Sequence, residues 1–301
     1  MQYWVSPSGS DTSTGLSQAT AFKTLQHAEL VTNPGDVVNV LPGTYTATAA
    51  HDVLQINRGG TAGAWITYKA APGAKIQVSP NNWMGVDVLA PYIIVQGFEI
   101  IGNARNVTMA FALQHANDGT IPQTNSYGVA IGSHHVQILN NTIHDNSGHG
   151  IGGGGDYVTI AGNDVYGNGN WSPYATGGVS QVQLGTQQFD NAPGYHNYII
   201  NNRIHDNVEL IGNLAANGAI TDGNGIIIDS NQFGFSSTPY TGRTLISNNV
   251  LTNNGAAGVH VFQSAHVDVF SNVSVNNNLN VKEGEIEAAR SSDVNMSSNI
   301  R

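Results

Sequence analysis

Cysteine is absent from the 301 residues, so the chain has neither a disulfide framework nor a thiolate nucleophile or metal ligand. Charge is scarce as well. Asp, Glu, Lys and Arg make up 10% of the chain, too few for the Glu- and Lys-covered surface of a helical protein. Bases are scarcer than acids, 10 against 20, and the formal charge of -10 argues against the basic stripe that nucleic acid requires. No run reaches the ~18 apolar residues of a membrane span. No leader is visible, because Met1-Gln2 runs directly into Tyr3-Trp4-Val5. The low charge and Asn-rich surface fit a secreted protein, which implies a leader already removed or another export route.

What the chain does have is Gly, 36 residues of it, and a recurring Asn frame. NNTIHDN begins at Asn140, GNDVYGN at Gly162, NNRIHDN at Asn201, NNVLTNN at Asn248, SNVSVNN at Ser271 and SNI at Ser298. The second position of each frame is Asn141, Asn163, Asn202, Asn249, Asn272 and Asn299, in steps of 22, 39, 47, 23 and 27 residues. A base period of roughly 22 to 25 residues with insertions is the mark of a solenoid. Within one period, residues 244–263 read as three short strands separated by turns. Thr244–Ser247 is the first, Val250–Thr252 the second, and a Gly-led run from Gly258 the third. Asn supplies the bends because it tolerates left-handed backbone. The expected fold is therefore all-β, a right-handed parallel β-helix with three strands per coil rising about 4.8 Å per turn. The repeated Asn is expected to form an amide ladder along one bend. Residues 1–301 are expected to form one such domain, with 1–45 as the N-terminal cap and first coil. Phe22, Leu25 and Leu30 have helical spacing and predict a short capping helix over Ala21–Leu30 that covers the open sheet edge.

Three segments, YWVSPSGSD from Tyr3, AFKTLQHA from Ala21 and PGDVVNVLPGTY from Pro34, resemble the opening of secreted parallel β-helix polysaccharide-active enzymes of the pectate-lyase-like superfamily. The resemblance implies a polysaccharide substrate, acidic residues that hold calcium, and a Lys or Arg base. The lysines here are Lys23, Lys69, Lys75 and Lys282, none on a central Gly-led strand, so a Lys base does not carry over.

Insertions of about 103–126, 185–196, 208–223 and 230–242 are long enough to be functional loops and are expected to wall a groove over the Gly-led strands. Trp171, Tyr174, Tyr195, Phe233, Phe235 and Tyr240 lie in or beside them and offer rings either for sugar stacking or for pinning the loops. Aligning Gly225 with Gly258 sets Ile227 beside His260 and Asp229 beside Phe262, which makes Asp229 and His260 diagonal neighbours at roughly 7–8 Å. Glu287 follows His260 one coil on. With Gln181 and Gln183 read as outward-facing, the predicted ledge is Gln183, Asp229, His260, Glu287, and Asp222 and Asn224 arrive from the loop.

Asp229, His260, Asp222 and Glu287 are the candidate catalytic groups, because paired carboxyls supply acid and base and His titrates near neutrality. Asn224, Arg203, Gln181, Gln183, Trp171, Tyr195 and Tyr240 are candidate substrate contacts. Asp222 and Asp229 are also candidate calcium ligands. The structural alternatives are that DGNG is only a turn, that Asp229 caps a loop amide, and that His205 and Asp206 repeat a frame position also held by His144 and Asp145. Function narrows to a uronate-cleaving lyase first. The alternatives are a hydrolase of a neutral or weakly charged polysaccharide using paired carboxyls, or a non-catalytic glycan-binding coil.

Overall fold

The structure is a computed structural model that describes residues 1–48, 51–174, 177–232 and 237–301. The strands collect into three parallel sheets of ten, eight and eight strands. Each coil passes through them in order. In one coil Arg243–Ser247 lies in the ten-stranded sheet, Val250–Thr252 in the second sheet and Val259–Phe262 in the third. The third sheet is the Gly-led one. This is the expected parallel β-helix with three strands per coil.

Strand alternation sends Val, Ile and Leu inward from all three sheets into one continuous core, including Val129, Ile151, Val179, Ile226 and Val259 of the third sheet. Between the first and second sheets the expected Asn ladder is present. Asn141, Asn163, Asn202, Asn249 and Asn272 each pass an Nδ2–H to the Oδ1 of the next rung at 2.9–3.1 Å, ending at Asn299. A second ladder, which the sequence reading did not anticipate, runs along the bend between the second and third sheets. Asn146, Asn168, Asn207, Asn254 and Asn277 are joined in the same way at 2.8–3.0 Å. The residue before each rung adopts left-handed backbone, as Asn201 and Asp206 do in one coil. Each frame thus encodes two bends: a left-handed residue, a rung, a three-residue strand, a second left-handed residue and a second rung.

The second ladder also explains the leading Gly of the third sheet. A Cβ on Gly225 would sit 2.6 Å from Gly258 O and 3.0 Å from Asn254 Nδ2, so only Gly lets the strand pass the rung and its neighbouring coil.

The cap helix is shorter than expected, Leu25–Val31. Phe22 instead bridges to Val5 and is buried in extended backbone, and Thr24 caps the helix by accepting from His27 N–H. Leu30 is exposed, whereas Glu29 is buried because its carboxylate accepts from the N–H groups of Asn57 and Arg58. The helix packs on strands Gln2–Val5 and Asp52–Ile56.

Candidate functional site

The insertions 103–126 and 208–223 both leave the second sheet and enter the third. The residues after Gln181 and after Asp229 leave the third sheet for the first. The long connections therefore flank the two edges of the Gly-led sheet. Phe233 and Phe235 lie outside the described residues.

The 208–223 segment leaves the rung Asn207 and makes a short 3-10 turn at Leu214–Ala216. It rejoins the sheet at Asn224–Asp229. Its return is set by Glu209, whose Oε2 accepts from the N–H groups of both Thr221 and Asp222 at 3.0 Å. Asp222 Oδ2 accepts from Thr221 Oγ1 at 2.8 Å and from Asn213 Nδ2 at 3.3 Å, and its Oδ1 accepts from Asn224 Nδ2 at 3.3 Å. The expected register holds beyond this point. Ile227 pairs with His260, Asp229 with Phe262, and His260 with Glu287. Asp229 Oδ1 accepts from Ser230 Oγ at 2.7 Å, and Glu287 Oε2 accepts from Gly284 N–H at 2.8 Å. A fifth acid, Glu283, comes from the segment after Asn277 and places Oε2 3.5 Å from His260 Nδ1, without hydrogen-bond geometry.

The electrostatics follow from enclosure. Burial, then repulsion from Asp222, pushes Glu209 up to about 8 against the two N–H groups that favour its charge. Burial, then repulsion from Glu287 and Asp222, raises Glu283 to about 7. Burial also raises Asp222, with Asp229 adding to it against the Thr221, Asn213 and Asn224 donors that favour its charge, and raises Asp229, where Ser230 and His260 oppose the shift. Burial lowers His260, opposed by Glu287 and Asp229. Several buried atoms here lack a hydrogen-bond partner: Glu209 Oε1, Asn224 Oδ1, Glu283 Oε2 and both His260 ring nitrogens. Native interiors rarely leave such groups unpaired.

The remaining candidates fall elsewhere. Gln181 pairs with Ile228, in the inward-facing column, and Gln183 is buried with its Oε1 accepting from Thr244 Oγ1. Neither faces out, because Val179 rather than Val182 continues the core column. Arg203 stands on the second sheet beside Asp164, and its neighbour His205 stacks on Tyr166 as part of a column with His144. Tyr240 is fully buried, with its hydroxyl donating to Asp156 Oδ1 at 2.6 Å. Tyr195 lies on the first sheet and donates to Asp268 Oδ2. Trp171 donates its Nε1–H to Ala104 O and packs against Val107, Ala112 and Ile211, so it pins the 103–126 loop. Asp222, Asn224, Asp229, His260 and Glu287 are brought together.

Glu209 and Glu283 escaped the sequence reading. The available signal was an acid inside an insertion of a chain that is only 10% charged.

The donor set does not fit calcium, which takes six to eight oxygens. Among the described residues no three acids or histidines converge as a metal-holding group, and both Asp222 oxygens already accept hydrogen bonds.

No protein-family model and no curated protein matches the chain. Solved structures do. Pectate lyase Pel9A aligns over 99% of this chain and 78% of its own, with a TM-score of 0.55 and 19% identity. XylC, solved in complex with xylose, aligns over 92% of this chain with a TM-score of 0.64 and 14% identity, and the chain spans 62% of its length. A rhamnogalacturonan lyase aligns over 99% of this chain and 62% of its own, at a TM-score of 0.48 and 17% identity. In fold, the chain is similar to the parallel β-helix proteins that act on polysaccharides.

Proposed function

We propose that this protein cleaves a glycosidic bond over the Gly-led sheet, as a hydrolase of a neutral or weakly charged polysaccharide. The observation that carries this reading is geometric: the register sets Asp229 and Glu287 beside His260 on the Gly-led sheet, Glu283 reaches within 3.5 Å of the imidazole, and Asp222 enters at the start of the same strand through Asn224, while burial raises Asp222, Asp229 and Glu283. Glycoside hydrolysis needs one carboxyl that keeps its proton and one that does not. Asp222 is the more enclosed and is repelled by Asp229, so it is assigned the acid that protonates the leaving oxygen. Asp229 is half-buried and so less enclosed than Asp222, with the Ser230 hydroxyl donating to it, and it is assigned the carboxylate that activates water or attacks the sugar. No Lys or Arg forms an ion pair with these acids among the described residues, which disfavours a polyanionic substrate. The likeness to XylC in complex with xylose supports a neutral sugar.

A second reading, β-elimination on a uronate polymer, is favoured by one observation: neither ring nitrogen of His260 makes a hydrogen bond, which leaves the imidazole free to take a proton. The likeness to pectate lyase Pel9A supports it. Product analysis on a panel of neutral and uronate polysaccharides separates the two. Hydrolysis releases reducing ends without an ultraviolet-absorbing unsaturated terminus, and elimination yields both together. Binding without any cleavage across the panel would overturn both and leave a glycan-binding coil.

A further inference from the structure

The carboxyl of Glu209 is enclosed behind Asp222 and reaches no solvent; the residue is 0% exposed. Its own segment is tied to the preceding coil, where Val208 N–H donates to Asn168 O and Leu210 N–H to Asn170 O. From the other side, Asn280 Nδ2 donates to its backbone carbonyl at 2.8 Å. Glu209 is thus a fixed point, and its Oε2 receives the two consecutive N–H groups that lead into the Asp222 side chain. The next residue, Gly223, turns with φ +93°, and a Cβ there would come within 2.8 Å of Glu209 N, so the chain folds tightly around this carboxyl.

We propose that Glu209 is the positioning residue of the site, seating the backbone of Asp222 so that its side chain is held beside Asn224 and toward Asp229. This rests on the assignment of Asp222 as the acid. Asp222 is itself steadied by Thr221, Asn213 and Asn224, but these hold only its side chain, and Glu209 alone among the described side chains grips its N–H. The titratable group facing Glu209 is Asp222, and Glu283 and Asp229 act on Asp222 from the two neighbouring segments. Enclosure favours the neutral form of Glu209, so an uncharged amide should serve as well as the acid. The role needs an acceptor and not a charge.

The experiment compares Glu209→Gln, Glu209→Ala and Asp222→Asn on the cleaved polysaccharide, with folding checked by circular dichroism. Glu209→Gln keeps an oxygen for the two N–H groups and should hold kcat within about threefold of the parent. Glu209→Ala should lower kcat about 10- to 100-fold with KM little changed, the penalty for a misplaced catalytic group. If Glu209→Ala fails to fold, Glu209→Gln still decides, because loss of turnover in that variant would overturn the inference. Equal turnover in Glu209→Ala and Glu209→Gln would also overturn it. Full activity in Asp222→Asn would instead overturn the assignment of the acid, a separate failure.

Discussion

Replacing Asn202 by Ala removes the central rung of the first ladder. The side chain makes four hydrogen bonds: Nδ2 donates to Ile160 O at 2.9 Å and to Asn249 Oδ1 at 3.0 Å, and Oδ1 accepts from the N–H and Nδ2–H of Asn163 at 2.9 and 3.0 Å. The substitution strands two donors on Asn163 and the carbonyl of Ile160, all on the inner side of a bend whose rungs are buried. A buried group left unpaired costs about 1–3 kcal/mol, and the emptied space admits a water for part of it. The expected loss is about 3–5 kcal/mol. Asn299 makes the same kind of contacts at the last rung but is partly exposed, so water replaces what Ala removes and the loss should be about 1 kcal/mol. Urea denaturation of both variants, followed by circular dichroism, measures the two shifts. If Asn202→Ala shifts the midpoint no further than Asn299→Ala, the amide ladder is not what holds the bend and the reasoning fails.

Other consequences follow from the same geometry. Arg203→Ala should leave turnover unchanged within about twofold, because Arg203 lies on the second sheet and pairs with Asp164 at the surface, where such pairs contribute little. Tyr240→Phe should lower stability by about 1–3 kcal/mol without affecting kcat, since it strips Asp156 Oδ1 and Asn197 Nδ2 of a buried hydroxyl partner. Stability should also depend on pH in a set direction. Glu283 and Glu209 are raised to about 7 and about 8, so the folded state binds more protons than the unfolded one between the ordinary carboxylate range and those values. The stability these two acids contribute is therefore full below the ordinary carboxylate range and lost as pH rises through about 8, and a thermal-melting series should show this part of the slope reduced in Glu209→Gln. An unchanged slope between the ordinary carboxylate range and about 8 in Glu209→Gln would contradict the enclosure of Glu209.

The coil was legible in the sequence because its signals are local and repeated. Each Asn frame carries its own bend and strand, and the pairing of Asp229 with Phe262 and of His260 with Glu287 follows from aligning one Gly on the next. The second ladder was equally present, as the last Asn of NNTIHDN and NNRIHDN, but an Asn in a turn satisfies local bend chemistry and gives no sign of a partner one coil away. Gln181 and Gln183 misled because alternation fixes a face only relative to a chosen core residue, and a one-residue slip reverses every side chain. Glu209 and Glu283 sit in irregular segments with no period to align, so their approach to Asp222 is a property of loop packing. The aromatics of the insertions were ambiguous for a related reason: Trp171 and Tyr240 are amphipathic, and their polar atoms found protein partners inside the fold.

The most direct test of the account is a crystal structure of Asp222→Asn soaked with an oligosaccharide of the cleaved polymer. The sugar should lie over the Gly-led sheet, with a glycosidic oxygen in hydrogen-bond reach of residue 222 and the Asp229 carboxylate across the same ring. A glycan bound instead along the second sheet, beside His144, Tyr166 and His205, would contradict it.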